Sequence, residues 1–253
     1  GGVPCPPFSV AGKQLGADDE RDLFPEALRL VREAKPSAVM LENVKGLASA
    51  RFAPYRQSIL DELDRLGYDA DWKLLEAASF GVPQLRPRFI LVAMRRKYFD
   101  KFTWGVRDGR VVTVGEALRP YMAADGWRGA DSWASRANRV APTLVGGSKK
   151  HGGADLGPSR AREAWLKLGV DGRGVADAAP NAETPFDHIP RLTLRMAAAV
   201  QGFDPGWEFS GRKTASYRQI GNAFPPPVAA AVGLQIRSAL NGARREQAVT
   251  ASA

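Results

Sequence analysis

Apolar positions in the first part of the chain recur with two different periods, which predicts alternating helices and strands. Residues 22–34 and 55–66 each place their apolar side chains on one face of a helix. Short apolar runs between turn signals predict buried strands. These runs lie at residues 38–41, 74–80 and 89–94. Strands and helices that alternate at this spacing predict an α/β fold with a mostly parallel sheet covered on both faces.

The pattern changes near Lys97. From there to about residue 190 the chain is rich in Gly, Arg, Asp and Trp and has little periodicity. One helix is predicted within this region, at residues 159–168, with Ser159 as its cap. Helical patterns return at residues 192–200 and 226–240. We therefore predict a first domain at residues 1–96, a smaller irregular domain at 97–190, a return to the first domain at 191–245 and a tail at 246–253.

Composition places the chain among ordinary globular proteins, with 44% hydrophobic and 25% charged residues in 253. No apolar run approaches the length that spans a bilayer, and the first residues show no secretory signal pattern. The single cysteine, Cys5, excludes an internal disulfide and fits a reducing compartment. His151 and His188 lack metal-ligand spacing. We therefore predict a cytoplasmic protein with neither a membrane partner nor a bound metal.

The net charge is +9, from 36 Lys and Arg against 27 Asp and Glu. Such a chain attracts polyanions, and release of counterions from a nucleic acid would strengthen binding. Many basic proteins bind no nucleic acid, so the charge alone does not decide the class of partner.

Five short motifs narrow the choice. They are Pro-Cys-Pro-Pro-Phe-Ser at residues 4–9, Leu-Glu-Asn-Val at 41–44, Gln-x-Arg-x-Arg at 84–88, Arg-Leu-Thr-Leu-Arg with Gln-Gly-Phe within 191–203, and Gly-Asn-Ala-Phe-Pro-Pro-Pro at 221–227. In this order they resemble the motifs of the cytosine-5 DNA methyltransferase family. One of them alone would be weak evidence, but five in register across most of the chain form a specific match.

The resemblance implies a Rossmann-like sheet that binds S-adenosylmethionine, with the irregular region as the target-recognition domain. The family's Phe-x-Gly-x-Gly loop, which holds the methionine part of the cofactor, is absent from this sequence. We therefore expect the chain to be the C-terminal part of a longer enzyme, without the first strands of the sheet. The remaining cofactor contacts that the resemblance implies are Pro4, Asn222, Ala223 and Phe224.

The resemblance also assigns the chemistry. Cys5 would add to C6 of cytosine, for which a thiolate is suited because it is a strong nucleophile that can also leave. Glu42 would hydrogen-bond N3 and the exocyclic amine, and Arg88 would reach O2 and contact Glu42. Arg86 is placed in the same site, because a strand-like segment would point Gln84, Arg86 and Arg88 to one side.

The implied partner is double-stranded DNA, from which the target cytosine must be rotated to expose C6. The residues predicted to contact DNA are Lys13, Gln84, Lys149, Lys150 and Arg160. We expect a bacterial restriction-modification enzyme that is a monomer when full length.

Two other functions stay open. The first is a tRNA cytosine-5 methyltransferase, although that group tends to carry a Cys-Phe-Thr element and this chain has no second cysteine. The second is a DNA-binding remnant that cannot methylate because the cofactor loop is missing.

Overall fold

A computed structural model describes residues 1–3, 22–105, 109–146 and 154–251. The chain forms two compact units. The first comprises Gly1–Leu75, Pro87–Val106 and Ala229–Ala253, and the second comprises Glu76–Arg86 and Arg107–Val228. Within the described residues, no helix combines the length and the apolar character needed to cross a membrane.

The first unit is built on a three-stranded sheet with the order β1-β3-β2. The strands are β1 (Ala38–Val44), β2 (Tyr68–Glu76) and β3 (Pro87–Arg95). The central strand, β3, is buried from Phe89 to Met94. A continuous apolar run is expected for a strand that is covered on both faces.

The direction of these strands corrects the predicted sheet. β1 and β3 pair antiparallel, whereas a mostly parallel sheet was expected. The error has a physical cause, because an apolar run shows that a strand is buried but not which way its neighbour runs. Next to β1, the isolated bridge between Gly2 and Glu42 is parallel.

The predicted helices of the first unit are confirmed within about two residues. They are α1 (Phe24–Ala34) and α2 (Ala53–Arg65); the short α3 (Arg96–Phe99) was not predicted. Phe24, Ile59 and Leu63 are almost fully buried and pack into the core with Leu91. Lys35 ends α1 in a left-handed conformation, with φ of 47°.

The predicted strand at residues 74–80 is wrong in its second half. β2 begins earlier, at Tyr68, and ends at Glu76. The apolar residues that follow form a short 3₁₀ turn, Ala77–Phe80. Gly81 closes this turn with φ of 77°, which glycine adopts without steric strain. Ala77 and Ala78 are buried, so the apolar run serves the core without being a strand.

The second unit packs helices around a separate apolar core that includes Trp133, Trp165 and Tyr217. The helices are α4 (Val114–Ala123), α5 (Ala130–Arg136), α6 (Ser159–Leu166), α7 (Leu194–Gln201) and α8 (Lys213–Asn222). The cap of α6 is Pro158 rather than the predicted Ser159, which is the first residue of the helix. The last helix, α9 (Pro226–Ala251), belongs to the first unit from Ala229 onward. It runs eleven residues beyond its predicted end at residue 240 and includes most of the predicted tail.

The two units do not coincide with the predicted domains. Residues 76–86 and 191–228 group with the irregular region instead of with the first unit. The reason is that α7 and α8 place Met196, Tyr217 and Ile220 in the second core. That the middle region recognises DNA stays a prediction.

Asp171 links two segments of the second unit. Its carboxylate accepts hydrogen bonds from the Arg173 side chain, at 2.8 and 3.0 Å, and from Nε of Arg191, at 2.9 Å. The Asp171 side chain is 14% exposed. The hydrogen bond from Arg173, supported by Arg191, holds the pKa of Asp171 well below its usual range. The charged form therefore stabilises the folded state.

We predict that Asp171→Asn lowers the free energy of unfolding by about 1–3 kcal/mol at pH 7, because the amide cannot accept these bonds as an anion. A lowered folded-state pKa gives stability that is present above the unfolded pKa, about 3.9, and is lost as the pH falls below it. The difference between wild type and variant should therefore shrink in urea titrations at pH 3.5. Asp187→Asn, at an exposed position, is the control. An equal difference at both pH values would contradict this account.

Candidate active site

A buried ion pair joins the two motifs to which the sequence assigned acid and guanidinium roles. Nε of Arg88 lies 2.5 Å from Oε1 of Glu42, and the two side chains are only 11% and 10% exposed. The strand register explains the pair. Glu42 lies opposite Ile90, so Arg88 is its diagonal neighbour on the same face of the sheet. The predicted contact between Arg88 and Glu42 is present.

The first three residues lie along the other edge of β1 and fix the backbone of Glu42. The amide of Glu42 donates to the carbonyl of Gly1 at 2.9 Å, and the amide of Val3 donates to the carbonyl of Glu42 at 3.3 Å. A Cβ at Gly2 would lie 3.2 Å from Oε2 of Glu42. A larger residue than glycine would therefore press directly on the carboxylate.

Asn43 supports the same segment from the opposite face of β1. Its side chain is fully buried, and Nδ2 donates to the carbonyl of Val3 at 3.3 Å. Oδ1 accepts from the amide of Val44 at 2.8 Å. Because Val3 lies two residues before Cys5, Asn43 holds the chain that leads into the predicted nucleophile.

Several predicted site residues lie outside the described residues, and their roles stay predictions. These are Pro4, Cys5, Lys13, Lys149 and Lys150.

Gln84 is not placed to contact DNA, which corrects the prediction. Its side chain is fully buried, where Nε2 donates to the carbonyl of Val200 at 3.0 Å and to Oε1 of Gln201 at 2.5 Å. Its Oε1 accepts from the amide of Leu144 at 3.0 Å. Every polar atom of this side chain is therefore used inside the second unit.

Arg86 is also buried, with 1% exposure, and its partners are backbone carbonyls. Nη1 donates to Leu144 at 2.6 Å, and Nη2 donates to Gly221 at 2.6 Å and to Ala223 at 3.1 Å. The expected alternation of Gln84, Arg86 and Arg88 assumed a strand over all three. β3 begins only at Pro87, so the strand geometry does not extend to Gln84 and Arg86. These contacts correct the placement of Arg86 among the catalytic side chains, because its guanidinium binds protein carbonyls.

Three of the four predicted cofactor contacts, Asn222, Ala223 and Phe224, lie where α8 ends. Asn222 is the last residue of α8 and is exposed, while Ala223 and Phe224 are partly exposed. A Cβ at Gly146 would lie 2.2 Å from Oδ1 of Asn222, so the two residues touch only because Gly146 has no side chain. An exposed amide on a fixed backbone suits the polar groups of S-adenosylmethionine, and these residues therefore fit the cofactor in chemical character.

Arg160 was predicted from the sequence to have a functional role, whereas Gln201 was not. Arg160 is exposed in the first turn of α6, as a DNA contact requires. Gln201 received no role, yet it is buried and donates to the carbonyl of Ala223 at 2.5 Å. Its position in the Gln-Gly-Phe motif was the only signal that could have found it. Among the described residues, no group of His, Cys, Asp and Glu could hold a metal ion.

The ion pair defines the chemistry available in the first unit. The Glu42 carboxylate and the Arg88 guanidinium offer a hydrogen-bond acceptor and fixed donors side by side, mostly shielded from water. Such a pair can hydrogen-bond a planar heterocycle and stabilise charge that develops on its ring atoms.

Comparisons with known proteins agree with the motifs. The sequence matches the family model for C-5 cytosine-specific DNA methylase over residues 1–238. It is 62% identical over 252 residues to the Type II methyltransferase M.NaeI of Lentzea aerocolonigenes, covering 98% of this chain and 61% of that protein. It is 50% identical over 244 residues to the Type II methyltransferase M.NgoMIV of Neisseria gonorrhoeae, covering 95% and 77%. The chain thus spans about three fifths of the length of M.NaeI.

Solved structures with a similar fold are also methyltransferases. The Entamoeba histolytica methyltransferase EhMeth superimposes with a TM-score of 0.60 at 14% identity, over 95% of this chain and 76% of that one. The S. pombe Dnmt2 methyltransferase gives 0.52 at 15% identity, over 95% and 77%. At these identities the likeness concerns the fold alone, and it supports the predicted α/β class.

We predict that Asn43→Ala lowers the free energy of unfolding by about 1–3 kcal/mol, because it removes the buried donor to the Val3 carbonyl. Asn43→Asp should cost at least as much, since a carboxylate would face that carbonyl without water. Urea unfolding at pH 7 measures both changes. Asn138→Ala removes an exposed asparagine and should change stability by less than about 0.5 kcal/mol. Equal effects at the two positions would contradict the role given to Asn43.

Proposed function

The chain belongs to the C-5 cytosine-specific DNA methylase family, and we propose that it transfers a methyl group from S-adenosylmethionine to C5 of cytosine in duplex DNA. One observation carries the proposal beyond the family match. Glu42 and Arg88 form a buried pair at 2.5 Å, next to the segment that leads into Pro4 and Cys5.

The chemistry rests on three side chains of this chain. The Cys5 thiolate adds to C6 of the cytosine ring, which makes C5 electron-rich. Glu42 hydrogen-bonds N3 and the exocyclic amine. Once the thiolate has added, negative charge develops on N3 and O2, and the hydrogen bond at N3 helps to stabilise it. Arg88 faces O2 and holds Glu42 in place through their ion pair. Once C5 carries the transferred methyl group, loss of the C5 proton and departure of the Cys5 thiolate restore the aromatic ring.

S-Adenosylmethionine, when bound, supplies the methyl group as a sulfonium electrophile. The residues of this chain that would hold it are Pro4, Asn222, Ala223 and Phe224. The exposed amide of Asn222 and the backbone fixed by Arg86 support this assignment. A Rossmann-like sheet that includes β1 would carry the cofactor.

We propose that duplex DNA binds with its target cytosine rotated out of the stack. The net charge of +9 favours a polyanion. Lys13, Lys149, Lys150 and Arg160 would contact the DNA, and Gln84 is removed from this set. The relatives M.NaeI and M.NgoMIV are named Type II methyltransferases, which supports a restriction-modification setting.

The two other functions have less support. No described residue favours tRNA over DNA, and the two relatives at 50% identity or more are named as Type II methyltransferases. A remnant that only binds DNA has no need for a buried carboxyl and guanidinium pair next to the residues that precede Cys5 in the sequence. The same experiment separates all three functions.

We predict that the full-length protein, given S-adenosylmethionine and duplex DNA containing 5-fluorocytosine, forms a covalent adduct that survives denaturing electrophoresis. Fluorine cannot leave as a cation, so the Cys5–C6 bond persists after methyl transfer. Cys5→Ser should form no adduct, and Glu42→Gln should slow its formation by about 10²-fold or more. Glu163→Gln, an exposed glutamate in α6, is the matched control.

Three results would contradict the proposal. Trapping by Cys5→Ser would exclude the thiolate as the nucleophile. Trapping on tRNA but not on DNA would establish the RNA enzyme. Failure of the wild type to trap or methylate any nucleic acid, while it still binds DNA, would leave the binding remnant.

A further inference from the structure

The second unit contains a buried polar network that the proposed chemistry does not use. Gln84 and Arg86 form its centre, and both side chains are almost fully buried. Together they contact the Leu144 backbone through one amide and one carbonyl. Arg86 also donates to the carbonyls of Gly221 and Ala223. The Ala223 carbonyl accepts a second hydrogen bond, from the side chain of Gln201.

The backbone around Gln84 and Arg86 is fixed as well. The amide of Leu85 donates to the carbonyl of Ala141 at 2.8 Å, and the amide of Ala141 donates to the carbonyl of Pro83 at 2.8 Å. The Thr143 hydroxyl donates to the carbonyl of Leu85 at 2.5 Å. Residues 83–86 and 141–144 are therefore bonded to each other over their whole length.

The two segments that Arg86 joins also touch directly. A Cβ at Gly221 would lie 2.5 Å from Cα of Gly146 and 2.8 Å from the carbonyl carbon of Val145. The obstacles are backbone atoms, which cannot rotate away as a side chain could. The segments approach this closely only because both positions are glycine.

Arginine suits the centre of this network better than lysine. Its planar fork presents several donors at fixed angles, so one group can bind carbonyls from three residues at once. All donors of a lysine sit on one nitrogen, so they span a smaller distance than those of the guanidinium. At least one of the three buried carbonyls would then lose its hydrogen bond. The network therefore fixes the relative orientation of the two segments that Arg86 joins.

We propose that Gln84 and Arg86 are positioning residues that couple cofactor binding to DNA recognition. They hold residues 141–146, from the predicted target-recognition region, against residues 221–223, which include the predicted cofactor contact Asn222. Either ligand fixes one segment, and the network passes that constraint to the other. This inference rests on the proposed function and adds to it the residues that link the two ligands.

Coupling of this kind is reciprocal and measurable. Isothermal titration gives the Kd of S-adenosylhomocysteine for the full-length protein without DNA and with a duplex that carries its mapped target site. The ratio of the two Kd values is the coupling factor. We expect about tenfold tighter binding with DNA in the wild type, within the usual range of coupling between sites.

Two variants test the network from different sides. Arg86→Lys removes the planar fork, and Gly221→Ala forces the two backbones apart. Each should bring the coupling factor close to one. Should Arg86→Lys fail to fold, Gly221→Ala carries the test. The controls are Arg119→Lys, at an exposed ion pair with Asp131, and Gly233→Ala, where an added Cβ meets nothing within 4 Å.

A purely structural role gives a different result. If the variants lower the thermal midpoint but keep a tenfold coupling factor, the proposal is overturned. A wild-type factor of one would overturn it as well. Failure of the proposed function is distinguishable, because the wild type would then neither bind S-adenosylhomocysteine nor methylate DNA.

Discussion

The pairing of β1 with β3 is the constraint on which the candidate active site depends. The antiparallel register sets Arg88 diagonally across from Glu42, so their charged groups meet inside the unit. Removing one partner of a buried ion pair typically costs about 3–5 kcal/mol, because the other charge is left uncompensated. A one-residue slip would turn one of the two side chains to the other face of the sheet. β1 also carries Asn43, whose side chain donates to the carbonyl of Val3 and so holds the segment that precedes Pro4 and Cys5.

Buried polar side chains also hold the second unit together, but they bind different partners. There the buried polar side chains Gln84, Arg86 and Gln201 bind mostly backbone atoms, and the one bond between two of these side chains, from Gln84 to Gln201, is uncharged. Family motifs therefore serve two purposes in this chain. Glu42 and Arg88 form the buried ion pair of the first unit, whereas the first two polar residues of the Gln-x-Arg-x-Arg motif fix the backbone around Asn222. Neighbouring positions in one motif can thus belong to different parts of the fold.

Periodicity predicted α1 and α2 well, because each helix buries one apolar face against the sheet. Motif order predicted the family and the contact between Glu42 and Arg88. The direction of the strands could not be predicted, since the apolar run of β3 fits a parallel neighbour as well as an antiparallel one. The burial of Gln84 and Arg86 was also out of reach, because their partners lie 58 to 137 residues away in the sequence. The alternation of polar residues around Leu85 and Pro87 suggested a strand over residues 84–88. The strand in fact begins only at Pro87.

We propose that Glu42 and Arg88 act as one unit on the target base. A double-mutant cycle of methyl transfer by the full-length protein tests it most directly, with Glu42→Gln, Arg88→Lys and the double variant compared by kcat/KM. We predict that the double variant is no slower than the slower single variant, which gives a coupling energy above about 1 kcal/mol. Losses that simply add would show that the two side chains act independently and would contradict the shared role.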